Sequence, residues 1–143
     1  MKQSLEKTKK PLIFAIIGVF NTAVDFGLLL FLNSTGLSRV VANTISTGVA
    51  FIFSFFLNRK YTFKSSSKHI VREITLFILV TLFGLWVIQN YIIWILAPFI
   101  VAQFGASNEA ATLVAKLFAT IASLIWNYLM YDRVVFRTKK QVA

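Results

Sequence analysis

Leu12-Ile-Phe-Ala-Ile-Ile-Gly18-Val-Phe-Asn21-Thr-Ala-Val-Asp25-Phe-Gly-Leu-Leu-Leu-Phe-Leu32 runs for about 21 residues with one charge. An α-helix rises ~1.5 Å per residue, so ~20 such residues cross the ~30 Å hydrocarbon core of a bilayer. Val40–Leu57, Ile74–Ala97 and Ala110–Met130 read the same way, the first of them shortest at 18 residues. Little chain is left for a separate extramembrane domain. The reading is an all-α membrane protein, one integral domain over residues 1–143, with four transmembrane helices at about 12–32, 40–57, 74–97 and 110–130. The basic start resembles a signal sequence, but its apolar run exceeds the usual ~7–15 residues and no small-x-small site follows. It reads as an uncleaved first helix.

Composition agrees. The chain is 57% hydrophobic and 14% charged, against roughly 25% charged in a soluble domain. With no cysteine, disulfides and thiolate chemistry are excluded, and His69 has no second histidine to share a metal. No metal site and no cofactor are expected.

A net charge of +10 would suggest nucleic acid in a soluble protein. Its distribution argues against that partner. Lys2, Lys7, Lys9 and Lys10 precede the first span. Arg59, Lys60, Lys64, Lys68 and Arg72 separate the second and third, and Arg133, Arg137, Lys139 and Lys140 follow the fourth. Only Arg39 lies in a loop on the other side, and Lys116 lies inside span four. The positive-inside rule then places both termini and the middle loop in the cytoplasm, which an even number of spans requires. Attraction to anionic membrane lipids accompanies such a face. Tyr91 and Trp94 mark the outer boundary, and Tyr61, Trp126, Tyr128 and Tyr131 the inner one. Pro98 is expected to end the third helix.

A weak repeat links the halves. Ser54-x-x-x-Asn58-Arg59 runs on to Phe63, and Ser123-x-x-x-Asn127 runs on through Asp132-Arg133 to Phe136. Ser54 and Ser123 are paired in this reading, with Asn58 opposite Asn127 and Arg59 opposite Arg133. Each half is a helix pair that starts and ends inside, so the repeat is parallel.

Asp25 and Lys116 are the ionisable residues well inside the spans, both ~10 Å below the outer boundary by helix rise. Two readings stand. They form a structural ion pair that fixes helix orientation, or they belong to a substrate or coupling site facing a cavity. Polar stripes accompany them. Gly18, Asn21, Thr22 and Asp25 share a face of span one, Asn43, Thr47, Ala50 and Ser54 of span two, and Lys116, Thr120, Ser123 and Asn127 of span four. Span three adds Thr81, Gly84, Gln89 and Asn90 less regularly. Such residues are either packing surface or a polar interior. At the inner ends, Arg59 and Arg133 offer planar forks suited to phosphate, with Asn58 and Asn127 beside them. Topology and snorkelling explain the same arginines without a ligand. Five acidic residues, scattered singly, provide no acid–base pair and no metal–carboxylate cluster, so no enzyme is expected.

The chain resembles the GtrA-like family of small four-helix membrane proteins. The resemblance rests on Phe14-x-x-x-Gly18-x-x-Asn21-Thr22-x-x-Asp25, on Phe53-Ser54-Phe55-Phe56-Leu57-Asn58-Arg59-Lys60-Tyr61-Thr62-Phe63, and on Lys116-Leu-Phe-Ala-Thr120-x-x-Ser123-x-x-x-Asn127 with Asp132-Arg133-Val134-Val135-Phe136. It covers nearly the whole chain. It implies flipping of a polyprenyl-phosphate-linked monosaccharide across the cytoplasmic membrane, for a separate membrane glycosyltransferase that modifies cell-surface polysaccharide or teichoic acid. On that basis Arg59 and Arg133 capture the phosphate and Lys116 receives it near the outer side. Asn21, Asn43, Gln89 and Asn90 bind sugar hydroxyls. Four helices are narrow for a sugar, so a homodimer is also expected. Two other classes stand beside this one. The first is a small-cation or drug transporter using Asp25, and the second a non-transporting scaffold for a glycosyltransferase.

Overall fold

The computed structural model describes residues 2–137, with side chains from residue 9 onward. The side chains of Lys2 and Lys7, and the whole of Lys139 and Lys140, lie outside the described residues. Among the described residues every regular element is helical: α1 Lys2–Ser34, α2 Arg39–Leu57, α3 Ile70–Phe83, α4 Gln89–Phe104 and α5 Asn108–Met130. π-Helical turns at Asn58–Thr62, Gly84–Ile88 and Tyr131–Val135 extend α2, join α3 to α4, and extend α5. Four helical runs are long and apolar enough to cross a membrane: Lys9–Ser34, Arg39–Thr62, Ile70–Phe104 and Asn108–Val135.

These runs form two compact units that divide between Ser66 and Ser67. Each is an antiparallel helical hairpin. In the first, contacts pair rising numbers on α1 with falling numbers on α2: Phe14 with Phe63, Phe20 with Phe53, Asp25 with Ser46. In the second, Phe77 pairs with Phe136, Thr81 with Tyr131 and Gln89 with Ser123.

Local signals set the ends of these helices. Ser38 Oγ accepts the backbone N–H of Val41 at 3.5 Å, and Ser107 Oγ that of Ala110 at 3.3 Å. Both are N-caps that satisfy a first-turn donor. Gly105 closes α4 in the left-handed region, with φ 61° and its N–H on Val101 O at 3.0 Å. Pro98 therefore does not end the third span, contrary to the sequence expectation. It lies inside α4, and the helix continues to Phe104. Proline removes one backbone donor, which helices in membranes accommodate locally.

The packed seams are lines of small residues four apart. On α2 they are Ala42, Ser46 and Ala50, continued by the half-buried Ser54 and the buried Asn58 and Thr62. On α5 they are Ala111, Ala115, Ala119, Ser123 and Asn127, continued by Tyr131 and Val135. Small side chains let backbones approach closely, and in lipid that contact, not a hydrophobic drive, holds helices together. Each seam ends in a π turn closed by a buried phenylalanine. Phe63 N–H donates to Asn58 O and Phe136 N–H to Tyr131 O, both at 2.9 Å. Phe63 meets Phe14 edge-on at 6.5 Å, and Phe136 lies 6.3 Å from Phe77.

This shared closure corrects the register of the repeat. Counting back from the π turns, Asn58 corresponds to Tyr131, Arg59 to Asp132 and Lys60 to Arg133. Asn127 then corresponds to Ser54, one helical turn from the pairing read in the sequence.

Candidate functional site

The first hairpin carries polar groups at two levels. At membrane depth, Asp25 projects from α1 toward α2. Its Oδ1 accepts the Ser46 hydroxyl at 2.6 Å, and Thr47 Oγ1 lies 3.4 and 3.5 Å from Oδ1 and Oδ2. Ser46 Oγ is also 3.2 Å from Asn43 O, so it has an acceptor on each side. A carboxylate in hydrocarbon is costly unless polar groups meet it; here two hydroxyls on the facing helix do so. One turn away on α1, Asn21 Oδ1 is buried without a hydrogen-bond partner.

At the open end of the same hairpin, α2 finishes as Asn58-Arg59-Lys60-Tyr61-Thr62. Asn58 is buried and internally satisfied. Its Nδ2 donates to Ser54 O at 2.9 Å, and its Oδ1 accepts the Thr62 hydroxyl at 3.0 Å. Lys64 adopts the left-handed conformation, φ 49°, and Ser65 N–H donates back to Arg59 O at 2.9 Å. That reversal wraps the chain around the helix end. It leaves two adjoining hollows, one of about 380 Å³ lined by Phe56, Arg59, Lys60, Lys64 and Ser65. The other, about 260 Å³, is lined by Lys9, Lys10, Ile13, Tyr61, Thr62 and Lys64. Five cations thus converge where α1 begins and α2 ends. A helix C-terminus favours cations, and their convergence offers donors to an anion.

The second hairpin differs. Gln89 Nε2 donates to Ser123 Oγ at 2.9 Å. Trp126 Nε1 donates to Val80 O at 3.3 Å, just before the π turn that starts at Gly84. Asn127 is buried, its Oδ1 has no hydrogen-bond partner, and it presses on Gly84. Tyr131 stacks on Phe77 at 4.5 Å and shares a 2.5 Å hydrogen bond with Thr81. At the open end, Asp132 stands where the first hairpin has Arg59, and Arg133 and Arg137 are exposed.

The residues singled out from sequence fall as follows. Asp25 lies in the first hairpin with Asn58, Arg59 and Asn21, and Gln89 and Asn127 line the seam of the second. Asn43 is exposed; the packed face of α2 is the neighbouring line through Ala42, Ser46 and Ala50. Lys116 is exposed beside the line through Ala115 and Ala119. Asn90 is exposed and bonds its own helix at Trp86 O, 2.6 Å. Ala50 and Ser54 of one stripe and Ser123 and Asn127 of the other lie on the packed seams; the other two residues of each stripe stand one position off, because Asn and Lys outweigh Ala in a polar pattern whereas close packing selects Ala. Arg59 and Arg133 belong to separate hairpins and are not repeat equivalents. Ser46, Lys9, Lys10, Lys60 and Lys64 were missed as site residues. The lysines were read as topology charges, and the signal that could have found Ser46 is its place four residues from both Ala42 and Ala50.

These features define a multi-pass membrane protein of two helical hairpins, the first with a basic hollow at its end and a hydroxyl-bound acid at membrane depth. The chain belongs to the GtrA/DPMS transmembrane domain family, whose profile matches residues 13–136. It is similar to the cell wall teichoic acid glycosylation protein GtcA of Listeria monocytogenes, 31% identical over 103 residues. That match covers 70% of this chain and 65% of that protein, slightly under two thirds of the relative's length. The Listeria innocua protein of the same description is 26% identical over 133 residues, 90% of this chain and 86% of the relative. The uncharacterized membrane protein YngA of Bacillus subtilis is 28% identical over 124 residues, 87% of this chain and 77% of the relative.

Proposed function

We propose that this protein moves a polyprenyl-phosphate-linked monosaccharide between the leaflets of the cytoplasmic membrane, with both termini in the cytoplasm. A membrane glycosyltransferase then uses the lipid for teichoic-acid or other surface-polysaccharide glycosylation. The observation that carries this reading is the first hairpin's basic end, where Lys9, Lys10, Arg59, Lys60 and Lys64 surround the two hollows. A phosphodiester head carries one negative charge and suits such a rim, with Arg59 as the bidentate donor. The line Thr62, Asn58, Ser54, then Ser46 and Thr47 with Asp25, runs from that rim toward the turn end. Those groups are engaged with one another in the packed seam, so the sugar meets the exposed rim while the polyprenyl tail stays in lipid. The process is transport without covalent chemistry.

The test is a reconstituted leaflet-accessibility assay. Vesicles carry a polyprenyl-phosphate sugar, and a membrane-impermeant reagent reads the fraction exposed outside over time. The protein should speed equilibration over protein-free vesicles. Arg59→Gln should slow it while leaving insertion intact, and Arg59→Lys should restore it in part. Equilibration no faster than in protein-free vesicles would reject transport and favour a scaffold role.

A further inference from the structure

Lys60 and Tyr61 are adjacent in the π turn, yet they line different hollows. Lys60 lines the larger with Arg59, and Tyr61 the smaller with Lys9, Lys10 and Ile13. Lys60 Nζ lies 5.2 Å from the Tyr61 ring centroid, so the pair stands at the boundary between them. Lys64 borders both, turned there by its left-handed backbone, which is uncommon for a residue with a side chain.

The two hollows differ in chemistry. The larger is lined by Phe56, Arg59, Lys60, Lys64 and Ser65; its three cations suit an anion, and its aromatic ring has no polar tip and packs edge-on with Phe55 at 5.3 Å. The smaller sets a tyrosine ring and the aliphatic Ile13 among Lys9, Lys10 and Lys64. A sugar ring needs that mixture, an apolar platform for its C–H face and donors for its hydroxyls. Tyrosine is apolar in its body and polar at its tip, and Tyr61 is 49% exposed. The second hairpin closes with the same π turn but has Val134 at the place of Tyr61. The turn therefore closes without an aromatic there, and the ring is not required by the fold.

We infer that Tyr61 is the carbohydrate platform of this site: the lipid's phosphate sits at Lys64 and Arg59, and its sugar stacks on Tyr61 in the smaller hollow. This rests on the lipid-phosphate reading above and deepens it. Tyr61 then sets the preference for a glycosylated head over a bare one, while Arg59 and Lys64 bind the phosphate of either. In a phosphodiester head the sugar follows the phosphate directly. A phosphate at the shared lysine therefore brings the sugar into the smaller hollow without a spacer.

The experiment measures binding to the full-length protein in nanodiscs. The probes are a polyprenyl-phosphate hexose and the polyprenyl-phosphate methyl ester, which has the same charge and no sugar. Wild type should prefer the hexose lipid about tenfold, the scale of one good aromatic contact. Tyr61→Leu should abolish the preference and leave methyl-ester affinity unchanged. Tyr61→Phe and Tyr61→Trp should keep it, and Arg59→Gln should weaken both lipids alike. A soluble hexose 1-phosphate should displace the hexose lipid better than inorganic phosphate does. The inference is overturned if Tyr61→Leu retains the wild-type preference, or if inorganic phosphate displaces as well as the hexose phosphate. Binding of neither lipid by wild type would instead reject the lipid-phosphate reading itself.

Discussion

A single methyl group on Gly84 tests what holds the second hairpin together. A Cβ built there would lie 2.8 Å from Asn127 Oδ1, 3.3 Å from Trp126 Cδ1 and 3.6 Å from Asn127 Cγ. Neither neighbour yields freely. Trp126 is tied to Val80 O by its indole N–H, and Asn127 is 8% exposed. Overpacking of this kind costs about 1–3 kcal/mol. Alanine has a helix-propensity advantage of up to ~1 kcal/mol over glycine, which offsets part of that. Gly84→Ala should therefore destabilise by about 1–2 kcal/mol, roughly 5- to 30-fold in the unfolding equilibrium. Shortening the neighbour reverses the sign. In an Asn127→Ala background the 2.8 Å contact is gone, and Gly84→Ala should be neutral or stabilising by up to ~1 kcal/mol. The assay is reversible denaturant unfolding in mixed micelles, followed by tryptophan fluorescence on all four proteins of the cycle. An equal loss from Gly84→Ala in both backgrounds would refute the reasoning, because the cost would not come from the close approach.

Ser46→Ala removes the 2.6 Å donor to Asp25. Hydrogen bonds in membrane proteins average ~0.6 and reach ~1.7 kcal/mol, so a loss of about 1 kcal/mol is expected in the same unfolding assay. Ser46→Leu, at a position with 0% exposure, should cost more. We further propose that Asp25 belongs to the transport path. Asp25→Asn weakens the bond from Ser46 and should cost about 1 kcal/mol in the unfolding assay while slowing equilibration in the leaflet assay. Normal equilibration by that variant would remove Asp25 from the transport path. For orientation, the native chain has no cysteine. A cysteine at Ser66 should label only from the cytoplasmic side and one at Ser34 only from outside, and the opposite pattern at either position would invert the proposed topology.

The four spans were legible because hydropathy is summed over ~20 residues and tolerates local error. Pro98 was misread because a rule from soluble helices was applied to one that continues through it. The π turns were not legible. Each widens one helical turn, and only the unequal spacing from Ser54 to Phe63 and from Ser123 to Phe136 hinted at a shifted register. The inner halves of the packed faces, Ala50 with Ser54 and Ser123 with Asn127, were legible; the outer halves were read one residue off since polarity drew attention to Asn43 and Lys116, while close approach had selected Ala42 and Ala115. Asp25 was found because a charge at that depth is conspicuous in any sequence. Its partner Ser46 was not, because its spacing of four from Ala42 and Ala50 marks a packed face and says nothing of a hydrogen bond to another helix. The gathering of Lys9 and Lys10 with Lys60 and Lys64 depends on contacts between chain segments some fifty residues apart, which no local reading supplies.

The hairpins keep their small residues inside and many of their large ones out. Ala42, Ala50, Ala111, Ala115 and Ala119 are buried, while Phe20, Phe26, Phe31, Trp86, Trp94 and Phe118 are more than half exposed. Parting α4 from α5 within a bilayer would exchange contact with alanine for contact with lipid tails and would hydrate almost nothing. The heat-capacity change that bends the stability curve of a water-soluble domain comes from hydrating apolar surface, and here that source is nearly absent. Helix separation in these hairpins should follow a nearly straight line against temperature, with no decline on the cold side. Its sensitivity lies in distance instead, since a gap of ~0.5–1 Å forfeits a quarter to a half of each dispersion contact along the seam.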